Sequence, residues 1–264
     1  MTATSMDPRI EERRRGVSED NARRRLRLML IVSVFISAAA LGAWVLQSPI
    51  LSVREVVVRG AENSTALERL GSLSVVAGVP TISVKSAQVV AGLARDPWIQ
   101  DSRVVVQWPG HVEIDIFEYV AAASVAIDGG WILVSNSGQI LARTETPASD
   151  LAIVEVGIAS GVPGAMLKAD EALAAVTFVD GIGSFGLEPT TVWMEDDELL
   201  AIVGGYSVRI GPIVEIEAKA AAVLAVLQSG IEPGSSIDVV SPTRPAVAIP
   251  QPVVEAQTEV TSES

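Results

Sequence analysis

Two short runs of residues in this chain have types and spacing that could perform chemistry. Gly181, Gly183 and Gly186 match the G-x-G-x-x-G spacing of dinucleotide sites, in which a strand precedes the glycines and a helix follows them. Here a helical pattern precedes them and Glu188-Pro189 follows, so the context predicts a loop. The second run, Glu195 to Glu198, is entirely acidic and suggests calcium, but it lies between two predicted strands and favours a solvated hairpin tip.

Composition excludes several further classes of site. There is no cysteine, which excludes disulfides, thiolate metal sites and cysteine nucleophiles, and a single histidine, His111, excludes a two-histidine zinc motif. His111 begins an alternating strand, and no pattern places a serine nucleophile and an orienting group beside it, so we predict a surface histidine. No metal or cofactor is predicted. A pair of carboxylates for glycoside cleavage stays open, because 27 acidic residues follow residue 27.

Charge is distributed unevenly along the 264 residues. The net charge of −13 argues against nucleic acid as a partner. Residues 1–27 carry eight arginines and five acids, a local charge of +3, whereas the rest carries eleven bases and 27 acids, or −16. The mean hydropathy of +0.41 is high for a chain with so many acidic residues. It indicates an apolar segment that inserts into a lipid bilayer.

That segment is Leu28 to Leu46, a run of 19 residues without a charge. As a helix it spans about 28 Å, close to the hydrocarbon thickness of a bilayer. Arg23, Arg24, Arg25 and Arg27 directly precede it, and positive residues near a span stay in the cytoplasm. The sequence therefore predicts a cytoplasmic leader at 1–27, a transmembrane helix at 28–46 and an extracytoplasmic C-terminal part.

A cleaved signal peptide is the alternative interpretation of the same run. Ala38-Ala39-Ala40 would be its cleavage site, and Arg-Arg before Leu26 gives a weak twin-arginine variant. Against cleavage, the apolar run continues six residues beyond Ala40, and the polar leader is longer than a signal peptide needs.

Residues 51–119 have the pattern strand, helix, helix, strand, strand. A β-rich run at 53–59 ends at Gly60, and Asn63-Ser64-Thr65 with Glu68 resembles a capping box for a short helix. Ser83 is the expected cap of a second helix, which Asp96-Pro97 ends. Strands follow at 103–106 and, after Trp108-Pro109-Gly110, at 111–118, where apolar and polar residues alternate.

This pattern resembles a POTRA domain, and together with the preceding span it is similar to the FtsQ/DivIB family of bacterial cell division proteins. The resemblance rests on Val56 to Gly60, Gly78, Pro97-Trp98-Ile99 and the turn at Trp108-Pro109-Gly110 with its strand to Glu118. The family usually continues with Arg, any residue and Pro; Tyr119-Val120-Ala121 departs from that.

Residues 120–250 are typical of a β-rich domain with two helices. Short strands separated by turns run from 124 to 142, and a helix is predicted at 170–178. A second helix at 214–227 has Ile213, Ile216, Ala220, Val223, Leu224 and Leu227 spaced for one buried face. Arg209-Ile210-Gly211, Lys219 and Ile237-Asp238-Val239 resemble the β domain of the same family. Residues 251–264 show no periodic pattern of apolar residues and are predicted to be a disordered tail.

The fold class is therefore α+β: a single transmembrane helix, a POTRA domain at 51–119 and a mixed β domain at 120–250. The resemblance implies a non-catalytic scaffold of the division machinery that spans the membrane once, is enriched at the septum, and binds FtsB-like and FtsL-like proteins, with other septal membrane proteins as further partners. Strand addition at the last edge of the β domain is the expected mode. The residues implied are Ile237, Asp238, Val239, Val240, Ser241, Thr243, Ala246, Val247, Ala248 and Ile249.

Pro242 and Pro245 lie within this region and lack backbone donors, so we expect the pairing strand to be confined to Ala246 to Ile249. Protection of the edge against aggregation is the alternative role for these prolines. A membrane-anchored, peptidoglycan-modifying enzyme is the alternative function, and it would require a cleft with perturbed carboxylates. A POTRA chaperone for outer-membrane assembly is disfavoured, because too few residues follow position 250 to form a barrel.

Overall fold

The computed structural model describes residues 26–44, 51–158, 160–183 and 190–249. Several sequence-based expectations fall outside these ranges: the leader up to residue 25, the end of the predicted span at 45–46, Gly186 of the glycine motif, and the tail at 251–264.

The first helix, α1, runs from Leu26 to Trp44 and is long and apolar enough to cross a membrane, with a mean hydropathy of 2.1. All of its residues are exposed. An apolar helix of this length that no described residue covers is suited to a lipid environment, in agreement with the expected membrane anchor.

A three-stranded sheet with two helices follows α1. Its strands are β1 (Glu55–Arg59), β2 (Ile99–Gln107) and β3 (His111–Glu118), and its helices are α2 (Ala66–Ser72) and α3 (Ser86–Leu93). The spatial order is β1-β3-β2. Alternation along β3 buries Val112, Ile114 and Ile116 and exposes His111 and Phe117, which confirms the strand predicted from its period of two.

Two boundaries in this region differ from prediction. Residues 81–83 form a 3-10 turn, in which the Ser83 N–H donates to the Pro80 oxygen, so α3 begins at Ser86 and Ser83 does not cap it. β2 begins at Ile99, four residues earlier than predicted, because Gln100 and Asp101 also pair although they break the apolar run.

The second sheet has nine strands and two helices. The strands are β4 (Ala121–Ile127), β5 (Gly130–Ser135), β6 (Ile140–Thr144), β7 (Ala152–Ile158), β8 (Thr191–Glu195), β9 (Glu198–Val203), β10 (Tyr206–Gly211), β11 (Ser236–Asp238) and β12 (Ala246–Ala248). The helices are α4 (Asp170–Ile182) and α5 (Ile216–Gln228).

The strand order is β12-β11-β10-β9-β8-β7-β4-β5-β6. Hairpins join β4 to β5, β5 to β6, β8 to β9 and β9 to β10, and these neighbours are antiparallel. α4 connects β7 to its parallel neighbour β8, and α5 connects β10 to its parallel neighbour β11. A parallel pair requires such a crossover, which is why the two helices occur where they do.

The core lies between one face of this sheet and the two helices. Phe178 of α4, Val223 of α5, Val208 of β10 and Ile237 of β11 are fully buried in one cluster. The predicted buried face of α5 is confirmed at Ile216, Ala220, Val223 and Leu227. Leu224 is only partly buried, and Ile213 precedes the helix and is 38% exposed. The buried face therefore starts only at Ile216.

The chain divides into two compact units. One comprises residues up to 58 together with 68–90 and 103–114, and the other comprises 59–67, 91–102 and the residues from 115 onward.

Candidate partner-binding edge

The edge strand of the nine-stranded sheet is β12, which lies where the sequence predicted the last strand. It pairs antiparallel with β11, and its register places Ala248 opposite Ser236, Val247 opposite Ile237, and Ala246 opposite Asp238. Pro242 and Pro245 both precede β12, so neither proline interrupts its three paired residues. β12 thus lies within the range Ala246 to Ile249 in which partner pairing is expected, and that pairing stays a prediction.

The direction of each backbone group in β12 follows from the next strand inward. The Val239 N–H donates to the Arg209 oxygen at 2.9 Å, so residues 237 and 239 direct their backbone groups toward β10. Groups alternate along a strand, so residues 236 and 238 face β12 and bond Ala248 and Ala246. Val247 therefore directs its N–H and C=O away from the sheet.

By the same alternation, the backbone groups of residues 245 and 249 also point away from β11. Proline lacks a backbone N–H, but at this outward-facing position that N–H would not bond β11. Pro245 therefore removes no hydrogen bond between β11 and β12. The outward donors along this edge are therefore the N–H groups of Val247 and Ile249, which suit a short added strand.

Side chains on β12 divide between the two faces of the sheet. Val247 lies opposite Ile237, which is fully buried in the cluster that contains α4 and α5, so Val247 and Ile249 project on the helix-covered side. They remain 40% and 64% exposed, respectively. An added strand could cover these two side chains as well as bond the backbone.

Arg209 on β10 connects the edge to the interior strands. Its Nε and Nη2 donate to the two carboxylate oxygens of Glu198 on β9, both at 2.8 Å, and its Nη1 donates to Asp238 Oδ2 on β11 at 3.2 Å. The hydrogen bond from Arg209 lowers the pKa of Glu198, and Glu198 in turn raises the pKa of Arg209. These shifts favour the charged forms of Glu198 and Arg209, and the hydrogen bonds of Arg209 join three adjacent strands.

Asp238 also fixes the chain where it leaves β11, because its Oδ1 accepts the Val240 N–H at 3.0 Å. The Val240 side chain then passes close to Gly211: a Cβ at Gly211 would lie 2.7 Å from Val240 Cγ2, and Gly211 has φ +76°. A glycine is needed at this position both for the close approach and for the backbone conformation.

Lys219 supports the loop that follows Gly211. Its Nζ, on a residue that is 2% exposed, donates to the Pro212 oxygen at 2.6 Å. Burial lowers the pKa of Lys219, and the charges of Glu215 and Glu198 oppose that shift. The lysine therefore stabilises the turn between β10 and α5 from inside the domain.

The structure separates the residues that the resemblance assigned to partner binding. Ile237 and Val239 are buried in the core, and Asp238 is occupied by Arg209 and the Val240 N–H. The exposed members are Val240, Ser241, Thr243, Ala246, Val247, Ala248 and Ile249. A partner could reach the side chains of this second group and the exposed part of Asp238, but not Ile237 or Val239.

Sequence reasoning did not place Arg209, Glu198 or Gly211 at the edge. The motif Arg209-Ile210-Gly211 followed by Lys219 was visible as a family feature, but its connection to Asp238 depends on the parallel pairing of β10 with β11. That pairing brings together residues 29 positions apart.

The histidine and the acidic run that the sequence offered as candidates for chemistry lie in a surface ion pair and a hairpin turn. His111 Nδ1 lies 3.2 Å from Glu55 Oε2, with both side chains more than half exposed. Residues 196 and 197 form the two-residue turn between β8 and β9, with positive φ, so the acidic run is the predicted hairpin tip. Within the described ranges, no three His, Asp or Glu side chains are grouped so that they could hold a metal ion.

Within the second compact unit, a groove of about 580 Å³ is lined by Glu118, Asp150, Trp98 and Tyr119, among others. Glu118 accepts the backbone N–H groups of residues 62, 63 and 64 at 2.9–3.1 Å. Burial raises its pKa, but hydrogen bonds from Ser64 and Asn63 outweigh burial and lower it. A general acid needs a raised pKa, so Glu118 is arranged as a structural acceptor.

Comparison with known proteins agrees with the resemblance. The family model for the FtsQ-type POTRA domain matches residues 51–119. A protein named cell division protein FtsQ from Mycobacteroides abscessus is 27% identical over 224 residues, which cover 83% of this chain and 69% of the relative. One of the same name from Mycobacterium leprae is 28% identical over 225 residues, covering 83% of this chain and 62% of the relative.

A third protein named cell division protein FtsQ, from Anaeromyxobacter sp. strain K, is 30% identical over 118 residues, or 44% of this chain and 39% of the relative. The chain thus spans less than two thirds of two of these three relatives. The chain thus contains an FtsQ-type POTRA domain and is similar over most of its length to two proteins named cell division protein FtsQ.

Proposed function

We propose that this protein is a non-catalytic scaffold of the bacterial division machinery. It is anchored by α1 with its N-terminus in the cytoplasm, holds its folded domains outside, and is enriched at the septum. The names of its relatives and its FtsQ-type POTRA domain support a role in division. The arginines that precede α1 support the orientation.

The scaffold works through the edge strand β12, which receives a β segment from an FtsB-like protein that is itself paired with an FtsL-like protein. The observation that carries this proposal is the outward N–H and C=O of Val247 at the end of a nine-stranded sheet. Main-chain bonds at an open edge supply affinity, and alternate side chains supply selectivity. Val247 and Ile249 supply the apolar contacts on one face.

The edge is held in place before a partner arrives. Arg209 ties β11 to β9 and β10, and the Asp238 carboxylate fixes the turn at Val240. A pre-formed strand avoids the entropy cost of ordering three residues on binding, a saving that favours affinity.

Two substitutions at one position test the edge. Val247→Pro removes the outward N–H without removing a bond to β11, whereas Val247→Thr keeps that N–H and the branched shape. We expect the full chain, in detergent, to bind the extracytoplasmic segments of the matching FtsB-like and FtsL-like proteins about tenfold more weakly with Pro, and within about threefold of wild type with Thr. Equal affinity for all three proteins would overturn strand addition at β12.

A further inference from the structure

The anchor-proximal surface, which we define as residues 51–54, 74–86 and 107–112, differs in character from the rest of the extracytoplasmic chain. Residues 51–54 are the first described residues after α1. We propose that this surface binds the lipid headgroup layer of the membrane that holds α1, so that the POTRA unit rests on the outer leaflet. The proposal depends on α1 being the membrane anchor.

The three segments form one continuous surface. The Val53 N–H donates to the Val79 oxygen and the Gly78 N–H donates to the Val53 oxygen, both at 2.8 Å. On the other side, the Arg54 N–H donates to the Gly110 oxygen at 2.7 Å. A Cβ at Gly110 would lie 2.5 Å from the Ser52 oxygen, so a glycine is required for this close approach. Residues 52–54 thus lie between the loop at 74–86 and the turn at 107–112.

The loop and the turn each present apolar side chains to solvent. Val76 is 44% exposed and Ile82 is 55% exposed on the loop, and Trp108 is 51% exposed on the turn. Tryptophan is enriched at the headgroup level because its ring is apolar and its N–H is polar. These side chains are therefore suited to a membrane interface.

The charge of this surface complements an anionic membrane. The three segments contain two basic residues, Arg54 and Lys85, and no Asp or Glu, in a part of the chain whose net charge is −16. Glu55, just beyond the first segment, pairs with His111. Lys85 is exposed, and a basic residue near an anionic leaflet contributes about 1 kcal/mol to binding.

The length of the connection keeps this surface near the bilayer. Seven peptide steps separate Trp44 from Leu51, which limits the distance between them to about 25 Å even when fully extended. A tether of that length gives the surface a high effective concentration at the membrane, so weak contacts suffice.

The chain has no cysteine, so single labels can be placed at will. We would attach the fluorophore NBD to Ser83→Cys on this surface, to Ser37→Cys within α1, and to Asn136→Cys on the exposed turn between β5 and β6. The full chain would be reconstituted in phosphatidylcholine vesicles with and without phosphatidylglycerol. Quenching by spin-labelled lipid then reports how close each position lies to the bilayer.

We expect strong quenching at position 37, none at 136, and clear quenching with a blue shift at 83 that increases with phosphatidylglycerol. Ile82→Ser combined with Lys85→Glu should abolish the signal at 83, whereas Phe117→Ser, an equally exposed apolar residue outside this surface, should preserve it. Quenching at 37 with none at 83 would overturn the proposal and leave the anchor intact. Equal quenching with and without phosphatidylglycerol would overturn its electrostatic part.

Discussion

Arg209 and Asp238 lie on neighbouring parallel strands and are joined by a hydrogen bond of 3.2 Å between Nη1 and Oδ2. Arg209 is itself held by both carboxylate oxygens of Glu198, so the guanidinium of one residue aligns three strands. Because Asp238 also accepts the Val240 N–H, the network ends where the chain turns toward the edge strand.

Arg209→Met should loosen the edge strand without unfolding the domain. The groups are partly exposed, so the effect should be modest: amide exchange at Ala246 and Ala248 should accelerate up to about fivefold. Arg143→Met, whose Nη2 donates to the Asp128 oxygen near the opposite edge, is the matched control and should leave these amides unchanged. Unchanged exchange in the Arg209 variant would show that the ion pairs do not hold β11 and β12.

Gly211→Ala should destabilise the chain more than Gly205→Ala. Both glycines have positive φ, so both alanines are strained, but a Cβ at Gly205 meets no atom within 4 Å, whereas one at Gly211 meets Val240. The difference in the free energy of unfolding should be about 1–3 kcal/mol, as for overpacked sites. Chemical denaturation of the full chain in detergent measures it, and equal losses would contradict the contact.

Lys219→Met should lower stability at neutral pH, because it leaves the Pro212 oxygen without its donor. We expect a loss of about 1–2 kcal/mol, and Lys168→Met, at an exposed position, should cost far less.

The same variant tests the protonation of Lys219. The pKa of Lys219 is lowered in the folded state, so the unfolded chain holds this proton more tightly. As pH rises from the folded pKa toward the ordinary value of 10.5, the wild type should gain stability relative to the methionine variant. A difference that stays constant over this window would show that the lysine is not desolvated.

Glu118 gives a second pH dependence of the same sign, at the acidic end of the range. Its pKa is lowered in the folded state, so its stabilising contribution is present above the ordinary value of 4.5 and is lost as pH falls through the folded pKa. Glu118→Gln should cost about 1 kcal/mol at neutral pH and nothing at the acidic end of this window. Thermal unfolding from neutral to acidic pH checks this, with Glu155→Gln as an exposed control.

Patterns local to the sequence predicted the elements well. The period of two at His111 to Glu118 gave the exact bounds of β3, and the spacing of Ile216, Ala220, Val223 and Leu227 identified the buried face of α5. These signals depend on neighbours a few residues away. Ile213 was misassigned because periodicity does not show where a helix begins.

Relationships between distant strands could not be predicted from the residues. β4 pairs parallel with β7, and β10 pairs parallel with β11. These pairings depend on the order in which hairpins and crossover units are arranged in the sheet, and local sequence patterns do not specify that order. The Arg209 network requires the register of three strands at once, and the outward direction of Val247 requires that of β11 as well. The family resemblance indicated the edge, while the backbone geometry distinguishes the residues that a partner could reach.

Hydrogen exchange resolved to single amides on the full chain in nanodiscs, with and without the extracytoplasmic FtsB-like and FtsL-like segments, tests the central claim most directly. The account predicts strong new protection at Val247 and Ile249, whose N–H groups face outward, and little change at Ala246 and Ala248, which already bond β11. Binding without protection at Val247 and Ile249 would contradict strand addition at this edge.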